Sequence, residues 1–254
     1  MRAILLSLIL MSATAPLLSA ADPARQSIEV SYADCDVFGA LIPAREDLVE
    51  PHVAEGFTLR GDGTGVVTLG VVFVDCPIFA VEGKAEPAMD YFVLLAELDG
   101  GIGSYDLLEI TTSDAWQNAM EVVDKPSLIA DSMVVDFIRP AGEVVHGFAY
   151  VEHGGEWVKA TAVPAAGVPM STPSPSYHWG LGTHGRIYAQ HDNVFSRFGA
   201  SLITLEGSPG SLLVQLVGAE QIVLPGVEGR YCAISLFESP PGPTLQPKGE
   251  CGQL

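Results

Sequence analysis

The stretch that decides the fold runs from Gly65 to Val74 and reads Gly-Val-Val-Thr-Leu-Gly-Val-Val-Phe-Val. Almost all of these residues are β-branched or apolar, and the run lacks the periodicity of an amphipathic helix. It is therefore predicted to be a β-strand that is buried on both faces. The segment Tyr91–Ala96 has the same character and is predicted to be a second strand of this kind.

Further strands are predicted on both sides of these two, separated by turns that contain glycine and proline. They are Ser27–Tyr32, Tyr105–Thr112, Ser132–Ile138, Val144–Glu152, Glu156–Val163, Gly185–His191, Ala200–Glu206 and Ser211–Val217. The clearest hairpin turn is His153-Gly154-Gly155-Glu156. The proline-rich segment Ala162–Tyr177 is interpreted as a long surface loop of one domain rather than a linker between two.

Only two segments are predicted to be helical. Pro43–Val49 places a proline in the first turn, together with acidic residues that the helix dipole favours there. Ala115–Val123 can be capped by Ser113 or Asp114. About ten strands and two short helices predict an α+β, mostly β fold, in which a curved antiparallel sheet closes into a barrel or forms a two-sheet sandwich.

The composition excludes several classes of protein. Of the 254 residues, 48% are apolar and 17% are charged, which predicts a folded chain rather than a disordered one. The 12 Lys and Arg against 31 Asp and Glu give a net charge of −19, which disfavours binding to nucleic acid. The length suits a single domain over residues 22–254, and the oligomeric state is left open.

Residues 1–21 are predicted to be a signal peptide. Arg2 precedes the apolar run Ala3–Met11, and small residues lead to Ala20-Ala21. The apolar run is too short to span a bilayer, and no later run reaches the roughly 18 apolar residues that a membrane span requires. We therefore expect the protein to be secreted or periplasmic.

Export changes the interpretation of the four cysteines, which are Cys35, Cys76, Cys232 and Cys251. Disulfides persist in oxidising compartments, and four cysteines allow three pairings. Pairing of Cys35 with Cys76 and of Cys232 with Cys251 gives the shortest separations, and we expect it. The chain has no Cys-x-x-Cys motif, which disfavours a cysteine-ligated metal.

A polar and aromatic segment after the long loop is the first candidate site. Its predicted substrate-binding residues are Arg186, His184, Tyr188 and Trp179. Arginine is the natural partner of a carboxylate. Histidines 178, 184 and 191 are able to ligate zinc, but His184 and His191 are predicted to face opposite sides of a strand, so no metal is predicted. The alternative is that these aromatic residues anchor the loop and the histidines are hydrogen-bonded residues at its rim.

Lys125 is the second candidate, as a catalytic nucleophile. It follows the apolar face of the second predicted helix and precedes a strand. Desolvation lowers the pKa of a lysine, and a neutral amine attacks a ketone to form a Schiff base. The neighbouring Asp124 favours the charged form, and an isolated Lys-Pro at the boundary of an element is also typical of a solvated turn.

The order of the elements carries a family resemblance. A proline-containing segment (Leu41–Arg45) comes first, and Val53–Leu59 then leads into the long strand Val66–Val74. The strand Asp90–Leu98, a short helix with Lys125 at its exit and a strand-rich second half follow. Over most of the chain, this order resembles the acetoacetate decarboxylase-like superfamily.

The resemblance implies a curved sheet that closes over an apolar pocket. In the enzymes of that superfamily, the Schiff-base lysine follows Gly-x-Pro and precedes a second lysine. Lys125 falls near the matching place, but Val123-Asp124 stands where the proline is expected and Pro126 replaces the second lysine. The cationic neighbour that lowers the pKa of the nucleophile in those enzymes is therefore missing here.

The resemblance also matches Arg45 to an early arginine of the superfamily, and Glu97 or Asp90 to its strand acid. Three functions remain open. In the first, the protein binds a small organic acid or ketone in a pocket without covalent chemistry. In the second, it is a decarboxylase-like lyase that acts through a Schiff base on Lys125. In the third, it is an exported structural or surface protein. We favour the first, with no cofactor.

Overall fold

The elements of the fold are known from a computed structural model that describes residues 26–138, 146–166, 176–182 and 185–241. The strands are β1 (Gln26–Arg45), β2 (Val66–Cys76), β3 (Ile78–Val81), β4 (Lys84–Glu86), β5 (Met89–Glu97), β6 (Ser104–Thr111), β7 (Leu128–Ile129), β8 (Ser132–Ile138), β9 (His146–His153), β10 (Glu156–Pro164), β11 (Ser176–Gly182), β12 (Gly185–Gly207) and β13 (Gln221–Ser239). The helices are α1 (Glu46–Val49), α2 (Asp114–Val122) and α3 (Leu212–Val217). The predicted signal peptide lies outside the described residues.

Seven of the strands form a closed barrel. They pair in the order β1, β2, β5, β6, β11, β12 and β13, and β13 then pairs with β1. These neighbours are antiparallel except for β6 and β11. The long strand β12 also pairs with β10, which continues the sheet through β9 to β8. The predicted mostly β fold with a sheet that closes into a barrel is therefore confirmed.

Strand β2 is the run that predicted the fold, and it lies between β1 and β5. Val67, Leu69, Val71 and Phe73 are buried on one face of the sheet, whereas Val74 is buried on the other. The strand is thus covered on both faces, as its continuous apolar sequence predicted.

Two apolar clusters cover the two faces of the barrel sheet. The large cluster packs β1, β2 and β5 against β8, β9 and β10, and its aromatic centre is Phe38, Phe73, Phe92 and Phe137. The small cluster contains the buried side of α2, β3 and the ends of β1, β12 and β13. In the described part of the chain, no helix is long and apolar enough to cross a membrane.

The predicted helix at Pro43–Val49 is much shorter in the structure. Strand β1 continues to Arg45 because its backbone pairs with β2 as far as Val66. Only Glu46–Val49 is α-helical, and a 3₁₀ turn over Glu50–His52 follows it. The second predicted helix is confirmed as α2.

The predicted strand Ser211–Val217 was wrong, because this segment is helix α3. The Ser211 hydroxyl accepts a hydrogen bond from the Val214 N–H and caps the helix. Gly218 ends it with a φ of 76°, a conformation that glycine adopts without strain. Leu213 and Leu216 then pack into the large cluster.

One predicted disulfide is confirmed. Cys35 at the bulge of β1 is bonded to Cys76 at the end of the neighbouring strand β2. Cys232 is also disulfide-bonded. Cys251 lies outside the described residues, so its predicted pairing with Cys232 stays a prediction.

A row of carboxylates crosses the barrel sheet near β8 and gives a first testable prediction. Asp90 on β5 pairs with Asp75 on β2 and accepts a hydrogen bond from the Val135 N–H at 3.0 Å. Burial raises the pKa of Asp90 to about 6, and the nearby charges of Asp75 and Asp136 add to the rise. The stabilising contribution of the protonated form is therefore present below about pH 4 and is lost as the pH rises through 6.

We expect Asp90→Asn to raise the free energy of unfolding at pH 7 by about 1 kcal/mol, after allowance for the partial exposure of the group. Asparagine keeps an acceptor for the Val135 N–H and removes the charge. Urea unfolding at pH 7 and pH 4 measures the effect, which should vanish at pH 4. An equal gain at both values would mean that ionisation of Asp90 is not its cause.

Candidate functional site

Lys125 is placed by the turn that ends helix α2. Its backbone N–H donates to the Met120 carbonyl at 2.9 Å, and Asp124 before it has a φ of 58°. This left-handed residue turns the chain sharply back after the helix. As a result, the Lys125 side chain is only 3% exposed. The structure therefore contradicts the alternative that Lys125 lies in a solvated turn.

The Lys125 ammonium contacts two carboxylates of β6. Its Nζ lies 3.1 Å from Asp106 Oδ2 and donates a hydrogen bond to Glu109 Oε2. Asp106 and Glu109 would face opposite sides of a regular strand, since they are three residues apart. A bulge at Leu107 adds one residue to β6 opposite β5 and brings both carboxylates to the same face.

Glu109 is held in place by two further donors. Trp116 Nε1 on α2 donates to Glu109 Oε1 at 2.7 Å, and the Tyr91 hydroxyl on β5 donates to Oε2 at 2.9 Å. The Trp116 ring also packs edge-on against Phe237 of β13. Strands β5, β6 and β13 and helix α2 therefore meet around the contact between Glu109 and Lys125.

Asp106 links Lys125 to a pair of histidines. His178 Nδ1 on β11 lies 3.1 Å from Asp106 Oδ1, and the rings of His178 and His191 are 4.4 Å apart. His191 Nδ1 on β12 lies 2.5 Å from the Ser235 hydroxyl. The site thus brings together an ammonium, two carboxylates and two imidazoles.

Burial and neighbouring charges shift the titration of these groups in different directions. Burial lowers the pKa of Lys125, and the charge of Asp106 opposes that shift. Burial alone would raise the pKa of Asp106, but Lys125 and His178 together hold it well below its usual range. Burial also lowers the pKa of His191 well below its ordinary value, and His178 adds to this effect.

An open cavity of about 350 Å³ lies beside Lys125. It is lined by Glu121 and Asp124 of the helix exit, by Lys125 and Pro126, and by Leu181 and Gly182 of β11. Its described walls combine two acidic residues with apolar surface.

Three of the four predicted substrate-binding residues lie together, but on the other face of the β11–β12 hairpin from His178. Trp179 pairs with Tyr188 and Leu181 pairs with Arg186, so these side chains share one face. The Arg186 guanidinium stacks on Phe57 at 4.4 Å, and Trp179 packs against Phe57 and Tyr188. The fourth residue, His184, lies outside the described residues.

The residues matched through the family resemblance do not contact Lys125. Arg45 is exposed and forms an ion pair with Asp47 two residues away. Glu97 accepts a hydrogen bond from Ser104 at 3.0 Å. The acids that do contact Lys125 are Asp106 and Glu109. In the sequence they stand out only as the two acids of the predicted strand Tyr105–Thr112.

Within the described ranges, no group of three or more His, Cys, Asp or Glu residues is arranged to hold a metal ion. The contact between His178 and His191 therefore belongs to a hydrogen-bonded cluster, in which His178 meets Asp106 and His191 meets Ser235.

The barrel has an acetoacetate decarboxylase-like fold, as comparison with solved structures shows. An acetoacetate decarboxylase from Legionella pneumophila superposes with a TM-score of 0.61 at 10% identity, over 81% of this chain and 84% of that one. An acetoacetate decarboxylase-like enzyme from Sphingomonas wittichii gives 0.56 at 11% identity, over 84% and 90% of the two chains. The enduracididine biosynthesis enzyme MppR, in complex with pyruvate, gives 0.55 at 13% identity, over 87% and 92%.

No model of a known protein family and no curated protein matches the sequence of this chain. The similarity to the solved structures concerns the fold, because the sequences are only 10 to 13% identical.

Proposed function

We propose that the protein binds a small neutral carbonyl compound, such as a ketone, without covalent chemistry in the cavity beside Lys125. The observation that carries this proposal is the contact of the Lys125 ammonium with both Asp106 and Glu109. Two carboxylates in contact with one ammonium favour its charged form, which is not a nucleophile. An ammonium has three N–H donors, so the two carboxylates leave one for a further acceptor, and the proposal assigns that N–H to a ligand carbonyl oxygen.

The charge of the cavity favours a ketone over an organic acid. Glu121 and Asp124 line the cavity, while the charge of Lys125 is balanced by the carboxylates of β6. A ligand carboxylate would therefore meet the like charge of Glu121 at the cavity wall. Leu181 and Pro126 offer apolar contacts to the alkyl groups of a ketone.

Calorimetric titration with pentane-2,4-dione and with pyruvate tests this proposal. The neutral diketone should bind more tightly than pyruvate, and Glu121→Gln should strengthen the binding of pyruvate. Glu97→Gln, a matched change of an acid that does not line the cavity, should leave both affinities unchanged. The proposal is overturned if neither the diketone nor pyruvate shows saturable binding.

A decarboxylase-like lyase is the second candidate, and burial of Lys125 favours it because burial lowers the pKa of the amine. In this mechanism the neutral amine attacks the ketone carbon of acetoacetate and water leaves. Borohydride treatment in the presence of acetoacetate would then fix a reduced adduct on Lys125, detectable by mass spectrometry. A stoichiometric adduct in the unaltered protein at pH 7 would replace the non-covalent proposal.

The disulfide and the predicted signal peptide also support a proposed location outside the cytoplasm. The bond between Cys35 and Cys76 is of a kind that persists in secreted and periplasmic proteins. Amino-terminal sequencing of the exported protein should give a chain that begins near residue 22.

A further inference from the structure

A second cavity, of about 190 Å³, lies on the opposite face of β6 from Lys125. It is bordered by β5, β6, β9, β10 and the start of α3. Its wall includes Phe92, Ile110, Val151, Val158 and Leu213, all of which are buried members of the large apolar cluster. This cavity is partly open to solvent and reaches from the surface towards the large apolar cluster.

The size and lining of the cavity fit a small ring. Protein interiors are close-packed and keep few voids larger than a water molecule. An apolar cavity of about 150 Å³ stays free of water and accepts benzene. The present cavity has about 190 Å³ and is open on one side, so a six-membered carbon ring with one substituent fits it with one edge towards solvent.

The mouth of the cavity carries hydrogen-bond acceptors. His153 Nδ1 lies 2.9 Å from the Ile129 carbonyl, so Nδ1 carries a proton, and in the neutral ring Nε2 is an acceptor. Glu156 lines the same mouth, where its carboxylate accepts a hydrogen bond from Ser208. The mouth thus suits a ligand that donates a hydrogen bond, and the carboxylate of Glu156 disfavours an anion.

We propose that this cavity binds a phenol-sized molecule, with its ring against the apolar wall and its hydroxyl group donating to His153 or Glu156. The proposal is independent of the proposed ketone site. Leu108 and Ile110 of β6 face this cavity, whereas Asp106 and Glu109 on the other face hold Lys125.

Titration of the protein with phenol, followed by calorimetry and by the fluorescence of Trp157 in the cavity wall, tests the proposal. We expect one saturable site, with benzoate at least tenfold weaker because its charge meets Glu156. Leu108→Phe should fill the cavity and weaken phenol at least tenfold. Leu181→Phe, the matched change beside Lys125, should leave phenol binding unchanged.

His153→Leu separates the hydroxyl contact from the apolar one. It should lower the preference for phenol over benzene and leave benzene binding in place, with circular dichroism as the check on folding. The proposal is overturned if the unaltered protein shows no saturable phenol binding. It is equally overturned if Leu181→Phe removes binding and Leu108→Phe does not, because phenol would then occupy the cavity beside Lys125.

Discussion

Replacing Glu109 by glutamine is expected to turn Lys125 into an amine that reacts with ketones. Loss of a carboxylate in contact with an ammonium lowers the pKa of the ammonium by about 1 to 3 units. The uncharged fraction of Lys125 near neutral pH should then rise by about ten- to a thousandfold. We therefore expect borohydride with acetoacetate to fix at least about tenfold more adduct on Lys125 than in the unaltered protein.

The substitution is chosen to keep the local structure. Glutamine has the shape of glutamate and retains an oxygen that accepts the Trp116 Nε1–H. Asp106 stays in contact with Lys125, so the cluster keeps one carboxylate for one ammonium. The change therefore removes one negative charge and leaves a balanced pair.

Mass spectrometry of peptides that contain Lys125, after trapping over a range of pH, measures the effect. The amount of adduct should begin to rise at a lower pH in Glu109→Gln than in the unaltered protein. Glu97→Gln is the matched control, since Glu97 bonds to Ser104 and not to Lys125. If a folded Glu109→Gln protein traps no more adduct than the control, Glu109 is not what keeps the lysine charged.

The strands of the barrel were predictable where one feature of the sequence determines them. The apolar run of β2 leaves no polar face, so the strand must be covered on both sides. Helix α2 has its cap at Ser113 and its apolar side at Trp116 and Met120, and both signals are local.

Elements that depend on distant pairing were predicted less well. Gln221–Ser239 was not predicted as a strand, because Pro225, Gly226 and Gly229 interrupt its pattern. In the structure it pairs on both sides, with β1 and β12, and closes the barrel. The apolar residues of Ser211–Val217 fit a strand, but the Ser211 cap and Gly218 determine a helix instead.

The same distinction holds for the site. The sequence left Lys125 open between a buried amine and a solvated turn, and the structure buries its side chain, which is 3% exposed. The bulge at Leu107, which places Asp106 and Glu109 on one face, depends on the register between β5 and β6. Sequence alternation assigns these two acids to opposite faces, so the partners of the lysine were not predictable from it.

Replacing Lys125 by methionine is expected to lower the free energy of unfolding at pH 7 by about 3 to 5 kcal/mol. Methionine fills most of the space of the lysine stem, so the loss comes mainly from charge. Asp106 and Glu109, whose side chains are 8% and 1% exposed, would be left buried without their cation. Removing one partner of a buried ion pair is costly because the other charge stays desolvated.

A triple variant and a surface control test this reason for the loss. Adding Asp106→Asn and Glu109→Gln to Lys125→Met removes the uncompensated charges and should restore most of the lost stability, since neutral replacement of a buried ion cluster is often well tolerated. Lys159→Met is the control, because Lys159 Nζ lies 3.6 Å from Glu206 in a pair whose members are 38% and 33% exposed. This surface change should alter the free energy of unfolding by at most about 0.5 kcal/mol.

Urea unfolding of the unaltered protein, Lys125→Met, the triple variant and Lys159→Met gives the comparison. If Lys125→Met loses no more stability than Lys159→Met, the carboxylates of β6 do not depend on Lys125, and the buried ammonium is not what organises the site.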